Sequence, residues 1–177
     1  KETMQKKIDA KQVVFNVDET RLILKIYLKD VQGRVPETIW FGKDVGTTRE
    51  GKSVLKELFG GEAPFETPKP VEIIKRILKI STDENDLILD SFSGSGTTAH
   101  AVLELNKEED ESNRQFILVE MEDYANTITA ERVRKVIKGV KTAKSELLKK
   151  GTGGSFSYFV LGDTIEMESL LRGKNLP

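Results

Sequence analysis

The residues best suited to binding a ligand form the glycine-rich run DSFSGSGTT at positions 90–98. The short apolar run LIL at 87–89 precedes it, and residues 97–105 after it are helical in composition. Glycines at 94 and 96 let the backbone approach a ligand, and a helix beginning near Thr97 directs free N–H groups and partial positive charge toward it. Open α/β sheets bind ligands at such strand-to-helix turns, so we predict a site for an adenosine-bearing ligand with an anionic group.

A carboxylate at the end of the next predicted strand belongs to the same site. Glu120 follows the apolar run FILV at 116–119, where its side chain can accept hydrogen bonds from both ribose hydroxyls. The spacing Gly94-x-Gly96-x-x-Ala99 also satisfies the dinucleotide-binding pattern, so the loop alone does not identify the cofactor. No G-x-x-x-x-G-K-[ST] run occurs, which argues against ATP hydrolysis.

The single histidine, His100, lies one turn into the helix that follows the loop. We expect a packed or partly exposed helix residue there, because neither a nucleophile nor a carboxylate partner is evident. The absence of cysteine excludes disulfides and thiolate metal sites, and one histidine cannot anchor a multi-histidine zinc centre. We therefore expect no metal site.

Alternating helix and strand patterns provide the framework that positions these residues. Apolar side chains recur at helical spacing in residues 70–80 and 124–137, and the runs at 87–89 and 116–119 lack alternation, which is typical of strands buried on both faces. This α-β-α-β-α order predicts an α/β fold with a mostly parallel sheet flanked by helices. The run FSYFVL at 156–161 predicts one more strand, followed by a short charged helix near 165–171.

The residues before this α/β pattern predict a hairpin and a connection. The runs VVFNV at 13–17 and RLILKIYL at 21–28 predict an antiparallel hairpin. We expect one face of its second strand to be buried, and an element missing from this chain is one candidate for covering it. That face carries Leu22, Leu24, Ile26 and Leu28. Residues 32–70 contain four of the five prolines and a short helical stretch at 53–58, as in a connecting segment. Nucleic-acid contact by its Lys43, Arg49 and Lys52 is the less favoured alternative to simple solvation. The lysine-rich stretch 138–154 ends in GTGG, and we expect a partly flexible insertion there.

Length and composition agree with one main domain carrying a small appendage. We expect a hairpin remnant of a preceding region at 1–37, a connecting segment at 38–69 and the α/β domain at 70–177. The 177 residues are 37% hydrophobic and 32% charged, and they contain neither a membrane-length apolar run nor a secretory leader, so we expect a cytoplasmic protein. The formal net charge of −1 gives no global sign of nucleic-acid binding. Because the chain begins at Lys1 without methionine, we also expect it to be part of a longer protein.

Three stretches of this sequence resemble a known family. DSFSGSGTT resembles the D-x-F-x-G-S-G-T-T signature that binds S-adenosylmethionine in amino-methylating DNA methyltransferases, and ETPKP at 66–70 resembles their T-x-K-P motif. In the permuted class of this family, that motif immediately precedes the glycine loop, as it does here. Residues 44–59 further resemble the modification subunit of type III restriction-modification systems. The likeness covers residues 38–161, is weak before 38, and implies a Rossmann-like methyltransferase fold, to which the pattern at 13–28 adds a small N-terminal β-hairpin.

The resemblance implies S-adenosyl-L-methionine as the cofactor and a role for each matching residue. Asp90 and Phe92 would line the methionine part of the pocket, while Glu120 would hold the ribose. Thr67 and Lys69 would close the site over the cofactor carboxylate. The cofactor-binding residues expected on this basis are Thr67, Lys69, Asp90, Phe92, Gly94, Ser95, Gly96, Thr97 and Glu120.

The family's catalytic motif is absent from this chain. That motif, [D/N/S]-P-P-[Y/F], orients the target amino group while its aromatic residue stacks on the flipped base. The five prolines here include no adjacent pair, so we name no catalytic residue and expect the motif upstream of Lys1 in the intact protein. The resemblance implies that the intact protein is a DNA N6-adenine methyltransferase acting on double-stranded DNA, a homodimer that partners a restriction (helicase/nuclease) subunit. This chain alone should bind the cofactor without methylating DNA, and the choice of adenine over cytosine N4 rests on the type III likeness only.

Two other functions remain open. The glycine loop would also serve a nicotinamide-dinucleotide-dependent oxidoreductase, although nothing else indicates a hydride-transfer site and the T-P-K-P segment would then have no role. The chain could instead be a non-catalytic subunit-interaction module, whose surfaces would lie around residues 11–28 and 138–150.

Overall fold

The computed structural model describes residues 2–27, 35–109 and 111–162, and the chain divides between Ile39 and Trp40 into two compact units. The first unit contains helix α1 (Glu2–Asp9) and strands β1 (Val13–Phe15) and β2 (Leu22–Leu24). The two strands pair antiparallel, with Val13 opposite Leu24, so the predicted hairpin is confirmed. Helix α1 was not predicted.

The apolar face of the hairpin is exposed in this chain. Leu22, Leu24 and Ile26 retain 45%, 42% and 73% of their accessible surface, and Leu28 lies outside the described residues. The expected burial is therefore not formed here, because a helix of eight residues and strands of three residues offer little apolar surface to cover it. Burial against an element outside this chain stays a prediction.

The second unit carries all the other elements. They are α2 (Gly42–Val45), α3 (Thr48–Leu58), α4 (Val71–Ser81), β3 (Leu87–Asp90), α5 (Thr97–Glu108), β4 (Gln115–Leu118), α6 (Glu131–Lys138) and α7 (Glu146–Lys150). A 3-10 turn at Asp123–Ala125 and a π-helical turn at Asn126–Ala130 lead directly into α6. The helices and strands predicted from Pro70 to Ile137 are thus present, and the α/β class is confirmed.

Strands β3 and β4 lie side by side in parallel, with Leu87 opposite Gln115 and Asp90 opposite Leu118. Helix α5 packs between α4 and α6, and two apolar clusters join these helices to the inward side chains Ile88 and Phe116. Because both strands end at the same edge, the glycine loop after β3 and Glu120 after β4 meet there.

The opposite face of the strand pair is open, so the prediction of strands buried on both faces is wrong for this chain. Burial alternates along each strand, and one set of apolar side chains is 48–63% exposed: Leu87, Leu89, Ile117 and Val119. The physical reason is that the packed helices cover only the face that carries Ile88 and Phe116.

The connecting segment predicted at 38–69 contains more structure than expected. Helix α3 spans Thr48–Leu58 and begins at a capping box, in which the Thr47 hydroxyl accepts the Glu50 amide and the Glu50 carboxylate accepts the Thr47 amide. Leu55 and Leu58 are 0% and 1% exposed. Residues 40–69 therefore contribute to the core of the larger unit.

Two expectations near the carboxyl end are wrong. Residues 138–154 form a packed segment with helix α7, whose Leu148 is buried, and Gly139 and Gly151 approach so closely that a Cβ on Gly139 would lie 2.6 Å from the Gly151 nitrogen. Residues 156–161 form no strand, because neither β3 nor β4 pairs with them. The helix expected near 165–171 lies outside the described residues.

None of the helices within residues 2–27, 35–109 and 111–162 has the length and apolar character needed to cross a membrane.

Candidate functional site

The glycine loop is a tight turn between β3 and α5 that requires glycine at two positions. Gly94 and Gly96 have φ angles of +51° and +75°, in the left-handed region that residues with a Cβ rarely adopt. The Gly96 amide donates to the Ser93 carbonyl at 2.8 Å, and a Cβ on Gly96 would lie 3.1 Å from the Thr129 carbonyl oxygen. The loop therefore combines a special backbone conformation with a close neighbour.

The Asp90 carboxylate is hydrogen-bonded to residues on both sides of the glycine turn. One carboxylate oxygen accepts the Phe92 amide at 3.2 Å, and the other accepts the Thr98 hydroxyl at 2.5 Å. The Phe92 side chain is 86% exposed at the mouth of the turn. Asp90 thus shapes the loop from β3, and Phe92 is free to contact a ligand.

Glu120 joins the loop to the end of β4. Its Oε2 accepts the Gly94 amide at 2.7 Å, and its Oε1 accepts the amides of Met121 and Glu122 at 3.0 and 3.2 Å. A carboxylate offers about four acceptor positions, so these three amides leave at most one, and the Tyr124 hydroxyl also interacts with this carboxylate. The structure therefore brings Glu120 to the loop, as the strand pattern predicts, and adds a role in holding that loop.

The T-P-K-P segment lies against the start of α5 through its backbone. Pro68 is fully buried, and a Cβ on Gly51 of α3 would lie 2.7 Å from the Pro68 carbonyl oxygen. The Lys69 carbonyl accepts the Thr97 hydroxyl at 3.5 Å, whereas the side chains of Thr67 and Lys69 are exposed. The structure thus brings the Lys69 backbone to the loop.

An aromatic pair that the sequence reasoning missed borders the loop. The rings of Phe65 and Tyr124 meet edge to face with centroids 5.6 Å apart, and the Phe65 Cζ lies 3.3 Å from the Cβ position of Gly94. Partial burial, and then the negative charges of Glu120 and Glu122, raise the pKa of the Tyr124 hydroxyl. Tyr124 therefore remains a neutral phenol beside Glu120 at ordinary pH.

A buried arginine behind the loop was also missed. Arg132 of α6 is 0% exposed, and its Nη1 donates to the Ser95 carbonyl at 3.3 Å, the Ser95 hydroxyl at 3.0 Å and the Thr97 hydroxyl at 2.9 Å. Burial lowers the pKa of Arg132 to about 10, so it remains charged at neutral pH. Its position on the apolar side of α6, next to Val133 and four residues before Val136, is the signal that could have revealed it.

His100 lies between this arginine and a carboxylate. The ring is fully buried, its Nδ1 is 3.1 Å from Arg132 Nη2, and its Nε2 is 3.0 Å from Glu104 Oε1. His100 therefore has a carboxylate partner that was not evident from the sequence, although its i, i+4 spacing from Glu104 would have indicated one. His100 is nevertheless a packed helix residue, as expected.

The Ser93 hydroxyl is the one buried side-chain polar atom without a hydrogen-bond partner in the described part of the chain. Buried polar atoms are nearly always paired, so each exception needs a reason. A ligand group seated on the loop would supply the missing partner.

Comparison with known proteins identifies the family. A family model described as DNA methylase matches residues 1–131, which is well over half of the chain. The chain belongs to this DNA methylase family.

Proteins similar to this chain include type III Mod subunits and a type II methyltransferase. It is 39% identical over 115 residues to the type III restriction-modification enzyme StyLTI Mod subunit of Salmonella typhimurium, a match covering 64% of this chain and 17% of the relative. It is 34% identical over 138 residues to the EcoPI Mod subunit of Escherichia phage P1, covering 70% and 21%. A type II methyltransferase, M.KpnI of Klebsiella pneumoniae, is 40% identical over 83 residues, covering 47% and 19%. The chain thus spans about a fifth of the length of these relatives.

Proposed function

We propose that this chain is the S-adenosyl-L-methionine-binding portion of a DNA N6-adenine methyltransferase of a type III restriction-modification system. The observation that carries the proposal is the glycine loop at the end of β3, whose Gly94 amide is bound by the Glu120 carboxylate at the end of β4. This arrangement provides a close backbone approach, a helix N-terminus and a strand-end acid within one small site.

The residues present fit this cofactor. S-adenosylmethionine carries a positive sulfonium, a positive ammonium and one carboxylate. The acids Asp90 and Glu120 suit its positive groups, while the N-terminus of α5 and the exposed Lys69 suit its carboxylate. The unpaired Ser93 hydroxyl offers a hydrogen bond to one of its polar groups.

The proposed roles of individual residues are those that the resemblance to the family's motifs implies. Phe92 at the mouth of the turn lines the methionine end, and Thr67 and Lys69 close over the carboxylate. Gly94, Ser95, Gly96 and Thr97 form the backbone cradle. Glu120 holds the ribose, and to accept both hydroxyls it must release at least one of its three backbone N–H partners, because these amides leave at most one acceptor position.

We propose that the chain does not methylate DNA by itself. The bound cofactor supplies an electrophilic methyl group, and the residues described here bind and orient it. The five prolines include no adjacent pair, so the side chain and prolyl carbonyl that would orient a flipped base must come from another part of the protein or another chain.

The substrate and partners are proposed from the likeness to type III Mod subunits. The substrate is double-stranded DNA with adenine as the target base, and the partners are a restriction subunit and a second modification subunit. The place of action is the cytoplasm. These assignments rest on relatives of which this chain spans about a fifth.

The exposed strand face supports a larger, Rossmann-like sheet. Leu87, Leu89 and Ile117 are apolar, exposed and on one face of β3 and β4. Such residues are typical of parallel strands covered on both faces. We propose that this pair belongs to a mostly parallel sheet completed outside the described residues, that residues 1–37 are a remnant of a preceding region, and that residues 38–69 connect it to the cofactor-binding domain at 70–177.

The proposal is tested by adding S-adenosylmethionine or NAD to the chain and measuring thermal unfolding. Ligand at a hundred times its Kd should stabilise the fold by about 2.7 kcal/mol, and we expect this effect from S-adenosylmethionine alone. Protection by NAD alone would indicate a dinucleotide-dependent oxidoreductase. Protection by neither ligand at millimolar concentration, with folding verified by circular dichroism, would favour a subunit-interaction module.

A second measurement addresses catalysis. The chain, mixed with duplex DNA and methyl-labelled S-adenosylmethionine, should transfer no label to DNA while still binding the cofactor. Label in the DNA would contradict the proposed need for a separate base-orienting motif. A chain with Asp90→Ala, whose loop loses both carboxylate contacts, is the control for cofactor binding through this site.

A further inference from the structure

Arg132 is buried, and among the residues that the structure describes no carboxylate is hydrogen-bonded or ion-paired to it. Its hydrogen bonds go to neutral acceptors, and three of them belong to the turn that leads into α5: the Ser95 carbonyl, the Ser95 hydroxyl and the Thr97 hydroxyl. A buried charge that is not paired is costly, and proteins keep such groups where they perform a specific task. Because Arg132 contacts Ser95 and Thr97, we infer that this task concerns the glycine loop.

We propose that Arg132 is the positioning residue of the glycine loop, and that the neutral imidazole of His100 keeps its guanidinium in place. This inference rests on the proposed function of the loop as a cofactor site. Arg132 does not reach the cofactor in the proposed arrangement. It holds Ser95 and Thr97 through hydrogen bonds from α6, so that the N-terminus of α5 keeps the conformation that binds the cofactor.

The hydrogen bonds define the protonation state of His100. Arg132 offers only donors, through Nε at 3.3 Å and Nη2 at 3.1 Å from His100 Nδ1, so Nδ1 must accept. The ring proton therefore lies on Nε2, which donates to Glu104 at 3.0 Å. An imidazolium would lose the acceptor and repel the guanidinium.

Charged groups surround His100 from each helix that packs against it. Glu104 is on its own helix, Arg132 is on α6, and Lys75 of α4 donates to Glu104 at 3.3 Å and to Glu108 at 2.5 Å. A cavity of about 510 Å³ borders the same ring. The other charged residues that line this cavity are Lys43, Asp44, Glu50 and Glu72.

This environment predicts the direction of the pH dependence. Burial, assisted by the positive charge of Arg132, lowers the pKa of His100 below its ordinary 6.5, although the bond to Glu104 opposes this. The imidazole is therefore neutral at physiological pH, and Arg132 keeps its acceptor. As the pH falls through the lowered pKa, protonation breaks the Arg132 contact, and cofactor affinity should fall.

The test compares three variants with the unaltered chain. Arg132→Met removes the donors while filling similar volume, and His100→Asn keeps an acceptor near the Nδ1 position but does not titrate. Arg134→Met is the matched control, because Arg134 is on the same helix but contacts Asn126 and Glu131 instead of the loop. The measurements are Kd for S-adenosylmethionine by calorimetry between pH 5 and 8, and amide hydrogen exchange of residues 93–98 without ligand.

We expect Arg132→Met to weaken binding about tenfold or more and to accelerate exchange in residues 93–98, because it removes hydrogen bonds from a charged donor. Arg134→Met should match the unaltered chain. His100→Asn should bind at neutral pH but lose the acid dependence. Unchanged Kd and unchanged exchange in folded Arg132→Met would overturn the proposal, as would an unchanged pH profile in His100→Asn.

Two further outcomes separate this inference from the proposed function. Absence of S-adenosylmethionine binding by the unaltered chain would remove the proposed function, while slow loop exchange that depends on Arg132 would still support the positioning role. If Arg132→Met does not fold, Arg132→Lys retains the charge without the planar donor group. Folded Arg132→Lys should show weakened binding and faster loop exchange, and values equal to those of the unaltered chain would contradict the proposal.

Discussion

The Glu120 carboxylate holds the Gly94 amide at 2.7 Å, so a single side chain links the end of β4 to the glycine loop. Its other oxygen accepts two amides of the following turn. The backbone therefore orients this carboxylate before a ligand arrives, and the ribose hydroxyls replace at least one of these amides when both bind.

Glu120→Ala should weaken S-adenosylmethionine binding roughly tenfold to a hundredfold, because a hydrogen bond to a charged group contributes about 1.5–3 kcal/mol. Glu120→Gln retains one acceptor oxygen, so its affinity for S-adenosylmethionine should lie between those of the unaltered chain and Glu120→Ala. Calorimetry at neutral pH gives the Kd values, and Glu122→Ala, an exposed neighbour, is the control. Equal affinity in Glu120→Ala would remove this residue from the cofactor site.

Gly96→Ala tests the tightness of the loop against Gly60→Ala. The two glycines have nearly equal φ angles of +75° and +76°, but a Cβ on Gly96 would lie 3.1 Å from Thr129 O, whereas a Cβ on Gly60 would meet no other described residue within 4 Å. Both variants should lose about 1–2 kcal/mol from backbone strain. Gly96→Ala should lose a further ~1–3 kcal/mol from overpacking, measured by urea unfolding. Equal losses would mean that the Thr129 contact relaxes freely.

The sequence predicts the loop and its flanking elements well because these depend on local patterns. The run before Asp90 and the glycines after it specify a strand and a turn within a dozen residues. The contacts of Arg132 with Ser95 could not be derived in this way, since 37 residues separate them and helix packing brings them together. The exposure of Leu87 and Leu89 was missed because an apolar run predicts a strand suited to burial on both faces, but does not show whether other elements cover both faces.

Residues 156–161 illustrate the same limit for strands. Their aromatic and β-branched side chains favour an extended backbone, but a strand also needs a hydrogen-bonding partner, which depends on the rest of the sheet. Phe156 instead packs on the core beside Arg134. Composition alone could not distinguish these outcomes.

Gly51→Ala should destabilise the chain although alanine favours helices. Substitution within a helix would ordinarily gain about 1 kcal/mol. Here the new Cβ would lie 2.7 and 2.8 Å from the carbonyl oxygens of Pro68 and Lys69, so α3 or the T-P-K-P segment must move. We expect a net loss of about 1–3 kcal/mol in urea unfolding, together with weaker cofactor binding. Lys52→Ala, exposed on the same helix, should have little effect on either, and a stabilised Gly51→Ala chain would contradict the close contact.

Lys75→Met should reduce stability in a pH-dependent manner. Lys75 is 7% exposed and bridges Glu104 and Glu108, so its removal leaves the largely buried Glu104 without an ammonium partner. The expected loss near neutral pH is about 3 kcal/mol, the lower end for a broken buried pair, because Lys75 also borders a cavity.

The sign of the pH dependence follows from Glu104. Burial alone would raise its pKa, but the hydrogen bond from His100 and the charge of Lys75 outweigh burial and hold the pKa below its ordinary 4.5. A carboxyl group whose pKa is lowered by folding stabilises the fold at pH values above its pKa in the unfolded chain. This contribution is lost as the pH falls through its pKa in the folded chain. In Lys75→Met the pKa of Glu104 should rise, so the stability difference from the unaltered chain should shrink between about pH 7 and pH 4. Urea unfolding at pH 7 and pH 4 measures this stability difference. The control is Lys79→Met, which removes a half-exposed partner of Glu109 and should cost no more than about 1 kcal/mol at either pH. A difference that is constant with pH would show that Lys75 acts through packing and not through the charge of Glu104.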